Sequence, residues 1–169
     1  MKKNITLIGM MGSGKTTVGN ELKKLLPQFS LVDIDEKIEQ STGKKISEIF
    51  LRYGEPHFRE LENSKIKLFL NEDNQIISAG GGAFENPENR DILLNNSCVV
   101  YLKTSPDEIF TRIKNEVHRP LLRKDFTVEK IKNILSLREK NYMKAPYKVV
   151  TDGKSPELIA KEIIEAVNV

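Results

Sequence analysis

Gly9-Met10-Met11-Gly12-Ser13-Gly14-Lys15-Thr16 follows the apolar run Ile5, Leu7, Ile8 and precedes Val18, Leu22, Leu25 and Leu26. A glycine-rich loop therefore joins a buried strand to an amphipathic helix. The spacing G-x-x-x-x-G-K-[ST] has a physical reading at each position. Gly9, Gly12 and Gly14 let successive backbone N–H groups curl around an anion with no Cβ atoms in the way. The helix that starts near Lys15 aims its positive end and unpaired N–H groups at the same anion, Lys15 reaches the β- and γ-phosphates, and the Thr16 hydroxyl can ligate Mg²⁺. The implied ligand is a nucleoside triphosphate with magnesium. A tight turn that merely uses three glycines and a lysine is the weaker reading, because a strand precedes the loop and a helix follows it.

The 169 residues read as one domain, residues 1–169, large enough to bury about 70% of the unfolded surface. Charged residues make up 30% of the chain, yet the net charge is only +3, so the whole molecule is no electrostatic match for nucleic acid. Between Arg112 and Lys148, eleven Lys and Arg face four acids, a cluster that is either a solvated face or the seat of a small polyanion. Cys98 is the single cysteine, so no internal disulfide or thiolate zinc cluster can form, which fits a reducing cytoplasm. Lys2 and Lys3 precede an apolar stretch cut by Thr6, Gly9 and Gly12, which makes neither a signal peptide nor a membrane span.

Short apolar runs recur at Ile5–Ile8, Leu31–Ile34, Ile76–Ala79, Cys98–Leu102 and Tyr147–Val150, each followed by a helical pattern. The fold class is α/β: a five-stranded parallel sheet with helices on both faces, three layers in all, with ligands at the carboxyl ends of the strands. The second strand is expected to end in Asp33-Ile34-Asp35, its alternation sending both carboxylates to the ligand side. One suits a magnesium shell and the other a substrate hydroxyl, unless one of them caps the next helix. The third strand runs into Ser78-Ala79-Gly80-Gly81-Gly82, a backbone stripped of side chains where something approaches closely.

Ile46, Ile49, Phe50 and Tyr53 form one helical face that stops at Gly54. A second helix from Glu55 carries Arg59 and Glu62, whose spacing also fits an ordinary exposed pair, and His57 reads as partly exposed. Asn86-Pro87, Ser105-Pro106 and Ser155-Pro156 read as helix starts, with Glu108 completing a capping box for Ser105. Residues 115–126 read as an arginine-rich lid or a solvated loop, with His118 simply exposed. Ile131, Ile134, Leu135, Arg138 and Tyr142 then share one stripe, where Arg138 needs either an anion or a structural ion pair.

Taken together, Gly9 to Thr17, Asp33-Ile34-Asp35, Gly54-Glu55 with Phe58-Arg59 and Glu62, Gly80-Gly81-Gly82, Val99 to Leu102, Arg119-Pro120-Leu121-Leu122, and Arg138 with Tyr142 resemble the shikimate kinase family of P-loop kinases. The resemblance implies MgATP-dependent phosphorylation of the 3-hydroxyl of shikimate, in the pathway to chorismate and the aromatic amino acids, by a cytoplasmic monomer. It implies a nucleotide site of Gly12, Ser13, Gly14, Lys15, Thr16, Thr17, Arg112, Arg119 and Pro156, with Arg112 and Pro156 flanking adenine and Arg119 as the lid arginine. Mg²⁺ would be held by Thr16 directly and by Asp33 through water. Lys15, Asp35 and Arg119 are the implied catalytic groups. Shikimate would be held within a region of about residues 33–62 together with Gly80, Gly81, Gly82 and Arg138. In it Asp35 meets the hydroxyl, Arg59 and Arg138 take the carboxylate, and Phe50, Phe58, Pro120 and Leu121 line the ring pocket.

A small ring with one carboxylate and three hydroxyls calls for such a set: two arginine forks, an aspartate and bare backbone. Gluconate kinase and other small-metabolite kinases share the loop but do not call for two arginines converging on three glycines. A regulatory GTPase would need an Asn-Lys-x-Asp base-reading motif, which is missing. A nucleic-acid-dependent ATPase would need aromatic stacking residues among its charges.

Overall fold

The computed structural model describes residues 4–115 and 127–169. Five parallel strands form one sheet: β1 (Ile5–Ile8), β2 (Ser30–Asp33), β3 (Gln75–Ser78), β4 (Cys98–Lys103) and β5 (Tyr147–Val150), in the order β2-β3-β1-β4-β5. β1 is central, with Ile5 beside both Ile76 of β3 and Cys98 of β4. The chain leaves β1 for the far strand β2, returns through β3, and then crosses to β4 on the other side. The crevice above β1, between β3 and β4, is therefore the topological switch point where a ligand belongs.

The described helices are α1 (Lys15–Leu25), α2 (Ile34–Thr42), α3 (Ile46–Leu70), α4 (Pro87–Asn96), α5 (Pro106–Asn115), α6 (Val128–Tyr142) and α7 (Pro156–Val167). They cover both faces of the sheet, and β4 shows why. Val100 and Leu102 join Ile5, Leu7, Leu22, Ile159 and Ile163 under α1 and α7, whereas Val99 and Tyr101 join Ile38, Ile49, Ile66, Leu135 and Tyr142 on the opposite face. A two-residue period with apolar side chains at every step gives a strand buried on both sides, as a central parallel strand must be. Thr6 is the polar exception in β1, and its hydroxyl donates to Ser97 Oγ at 2.8 Å.

Several local expectations shift. β2 ends at Asp33, and Ile34 opens α2. The stop at Gly54 is kept: α3 is two helices that meet there, because a φ of 81° and ψ of 170° at Gly54 are non-helical and turn the chain before the second helix begins. Before that break only Ile49 is buried in the core; Phe50 is 37% and Tyr53 51% exposed. Ser105 caps α5 through the Glu108 N–H at 3.3 Å, but the reciprocal half of the capping box is missing. Glu108 pairs instead with Arg112 one turn on, and the Ser105 N–H goes to Asp152 at 2.9 Å. The expected lid lies outside the described residues except for Asn115, which closes α5. Arg119, Pro120, Leu121, Leu122 and His118 lie outside them too.

Candidate active site

A cleft of ≈ 460 Å³ opens along the carboxyl ends of β1, β2 and β3. Its floor is the loop between β1 and α1. Gly12 (φ 79°) and Gly14 (φ 92°) hold left-handed backbone that places α1 directly behind the loop. Gly14 is the N-cap and carries no side chain to occupy the helix end, and the first turn of α1 has no acid, so its positive end faces the cleft. Lys15 Nζ donates to the Gly9 and Met10 carbonyls at 2.9 and 3.1 Å, which holds the ammonium at the mouth of the loop. Gly12, Gly14, Lys15, Thr16 and Thr17 line the cleft, whereas Ser13 is wholly buried behind it.

Asp33 and Asp35 both line the cleft, though not through strand alternation. Asp33 is the last residue of β2 and the N-cap of α2: its Oδ1 accepts from the Glu36 N–H at 3.2 Å, while its Oδ2 accepts from Thr16 Oγ1 at 3.0 Å. Capping and facing Thr16 are thus the two ends of one carboxylate. Asp35 reaches the cleft from the first turn of α2.

The three glycines after β3 are explained by what crowds them. A Cβ on Gly80 would lie 2.8 Å from Glu62 Oε1 and 3.1 Å from Asp35 Oδ1, and one on Gly82 only 2.5 Å from Arg59 Nη2. A Cβ on Gly81 would meet Arg138 Nη1 and the Met11 N atom, both at 3.4 Å, so this turn also abuts the phosphate loop. Arg59, Glu62, Arg138 and Asp35 therefore converge on the glycine turn from α3, α6 and α2.

Arg59 and Glu62 form no exposed pair. Glu62 has no exposed surface, accepts from Arg59 Nη1 at 2.8 Å, and keeps its Oε1 without a hydrogen-bond partner among the described residues. Burial raises the Glu62 pKa, Arg59 and Arg138 pull it down, Asp35 pushes it up, and the result lies above the ordinary value. Burial alone would lower Arg59, but Glu62 and Glu55 together hold its guanidinium above its usual range. The Glu62 charge is fully removed from water, so its carboxylate is costly even with the Arg59 guanidinium beside it. Arg59 also lies 5.2 Å from the centre of the Phe58 ring, which packs against Phe50 with centroids 4.7 Å apart and planes tilted by 36°.

The far end of the cleft holds Glu108, Arg112, Lys154 and Pro156. Arg112 donates to the Ser13 carbonyl at 3.1 Å and to the Thr151 carbonyl at 3.3 Å, and it pairs with Glu108 at 2.9 Å. Its position is fixed between the phosphate loop and the turn after β5. Lys154 pairs with Glu162 at 2.7 Å.

A family model described as shikimate kinase matches residues 11–168. Shikimate kinases of Thermodesulfovibrio yellowstonii and Persephonella marina are each 43% identical to the chain, over 163 and 162 residues. These matches cover 96% of this chain and 94% and 97% of theirs. The chain belongs to the shikimate kinase family. It is accordingly an ATP-dependent kinase that phosphorylates a shikimate hydroxyl. The structure of shikimate kinase from Acinetobacter baumannii in complex with shikimate gives a TM-score of 0.90 at 33% identity, covering 98% of this chain and 93% of that one. A gluconokinase from Sinorhizobium meliloti gives 0.63 at 13% identity and so shares the fold alone.

Within this shikimate kinase family member, two features of the glycine turn escaped a reading of residue types. The spacing of Glu62 from Arg59 fits an exposed pair equally well, and its wholly buried position is what makes it part of the convergence. Tyr142 counted as one more stripe residue, yet its hydroxyl donates to the Gly81 carbonyl. The four-residue step from Arg138 to Tyr142 is the signal that places both on one helix face.

Proposed function

We propose that this chain transfers the γ-phosphoryl group of ATP to the 3-hydroxyl of shikimate, giving shikimate 3-phosphate and ADP, and that the residues above divide the work as follows. Gly12, Ser13, Gly14, Lys15, Thr16 and Thr17 hold the phosphates, and Arg112 and Pro156 flank the adenine. Arg59 and Arg138 fork onto the shikimate carboxylate, and Gly80, Gly81 and Gly82 give the ring its close approach. The single observation that carries this reading is the convergence of Asp35, Arg59 and Arg138 on a side-chain-free turn that abuts the phosphate loop. Acceptor and donor are thereby brought side by side. Residues 33–62 form the acceptor-binding region of one working domain, closed by residues 115–126.

Thr16 and Asp33 offer one hydroxyl and one carboxylate to a cation, and no group of three or more His, Cys, Asp or Glu suited to a metal exists among the described residues. This sparse set fits Mg²⁺, which keeps several waters and takes substrate phosphate oxygens as ligands. Bound there, the ion neutralises phosphate charge. Phosphoryl transfer needs positioning and electrostatics more than covalent help, so Lys15 and Arg119 stabilise the spreading negative charge. Asp35 orients the hydroxyl and takes its proton.

The same reading has shikimate and ATP as the only partners of a cytoplasmic monomer that binds neither membrane nor nucleic acid. No described helix is long and apolar enough to cross a membrane.

Purified protein is expected to release ADP from MgATP only when shikimate is present, and not with gluconate. Lys15→Met is expected to abolish that turnover while the circular dichroism spectrum stays unchanged. Turnover on gluconate, or activity near wild type in the folded Lys15→Met chain, would remove the acceptor or the loop assignment respectively.

A further inference from the structure

Three consecutive glycines have the greatest backbone freedom a chain can have, so the turn after β3 keeps one shape only if something outside it holds it. The Gly80 carbonyl accepts from the Ala83 N–H at 3.0 Å and the Gly82 carbonyl from the Glu85 N–H at 3.1 Å. The middle carbonyl, Gly81, is taken by the Tyr142 hydroxyl. Because the peptide unit is planar, fixing that oxygen fixes the Gly81–Gly82 plane. Tyr142 is itself held rigidly, with no exposed surface and its ring stacked on Tyr101, centroids 5.0 Å apart and planes 28° from parallel. Next to it, Asn141 Nδ2 donates to Glu85 Oε2 at 3.1 Å, a second tie between α6 and the same turn. Arg138 lies one turn earlier on α6, with Nη1 3.4 Å from where a Gly81 Cβ would be.

We propose that the Tyr142 hydroxyl is a positioning residue for shikimate: by clamping the Gly81–Gly82 peptide to α6 it sets the distance between the glycine turn and the Arg138 fork. This rests on the acceptor site proposed above. The phenol stays protonated at any working pH, because burial, opposed by Arg138, pushes its pKa up to about 12. Its donor hydrogen is always present. The adjacent Tyr101 hydroxyl makes no hydrogen bond among the described residues, so Tyr101→Phe and Tyr142→Phe each delete one oxygen from one ring stack, and only the second deletes a clamp.

The test is steady-state kinetics in both substrates, with thermal melts, on the full chain and these two variants. Tyr142→Phe is expected to raise the KM for shikimate by about tenfold, the equivalent of one lost hydrogen bond, with kcat and the KM for ATP within about twofold of wild type. Tyr101→Phe should leave all three within about twofold. A Tyr142→Phe enzyme with an unchanged shikimate KM and a lowered Tm overturns the proposal, since the hydroxyl would then serve the fold alone. Equal losses in both substrates, or failure of only this variant to melt cooperatively, overturn it too. Wild-type protein without shikimate-dependent turnover would instead sink the acceptor site itself, a failure read before any variant is made.

Discussion

Glu62 is a carboxylate sealed from water, 2.8 Å from the Arg59 guanidinium and near a second acid, Asp35. Burial, the largest influence, raises its pKa, and the cations Arg59 and Arg138 offset this only in part. A carboxyl whose folded pKa exceeds its unfolded one stabilises the native state fully below the unfolded value. That contribution is lost as pH rises through the folded pKa. Glu62→Gln keeps the shape and cannot ionise. Relative to wild type, its Tm is therefore expected to improve steadily as pH climbs from about 4, the usual glutamate range, toward neutrality. Paired melts across that range provide the measurement. A difference that does not change with pH would mean that Arg59 and Arg138 fully compensate the buried charge. The side chain nevertheless has a place in the site, because it holds Arg59 against Gly82.

At the scale of elements, the start of α2 couples a helix cap to the chemistry. Asp33 accepts from the Glu36 N–H with one oxygen and from Thr16 with the other. Asparagine is as good an N-cap as aspartate but carries no charge, whereas alanine offers neither cap nor charge. Asp33→Ala should thus lose about 1 kcal/mol of stability, about 2–4 °C in a domain of this size, and Asp33→Asn almost none. Both should need more Mg²⁺ for half-maximal activity. An asparagine variant that melts as low as the alanine variant would show that charge at the helix end, not the cap, carries the stability. This junction also marks where the sequence was ambiguous. Leu31, Val32 and Ile34 suit a strand or a helix alike, so the run alone did not say that Ile34 turns into α2. Gly54 was legible as a break because its positive φ suits glycine, and Ser155 as a cap because its Oγ accepts from the Leu158 N–H. The half-formed box at Ser105 was not, since Glu108 had two possible partners and a rival for the Ser105 N–H came from Asp152, 47 residues away.

The whole molecule was legible for a different reason. Of the five apolar runs, the inner strands β1, β3 and β4 are buried on both faces, as a covered parallel sheet requires, while β2 and β5 are partly exposed edges, and the phosphate loop marks which end of the sheet holds the ligand. What the runs do not encode is the strand order, or that Asp35, Arg59, Glu62 and Arg138 meet at one turn; such convergence exists only after the fold forms. Since the cleft is lined by α1, the start of α2, the glycine turn and α7, a ligand in it joins parts of the chain distant in sequence and should stabilise the whole fold. At a hundredfold excess over Kd such binding adds about 2.7 kcal/mol. For a domain of this size that is a rise of about 5–10 °C in Tm. Arg138→Lys separates the roles of the arginine, because lysine keeps the charge but not the planar fork. If Arg138 grips the shikimate carboxylate, a loss of about thirtyfold in affinity, within the range for a charged hydrogen bond, shrinks the shikimate-induced shift to about a third. The Tm without ligand and the shift with MgATP should then stay as in wild type. If Arg138 serves instead as a structural partner of Glu62, the unliganded Tm falls and the shikimate shift persists. The same six melts, three for each protein, distinguish the two roles, and only the first pattern keeps Arg138 in the acceptor site.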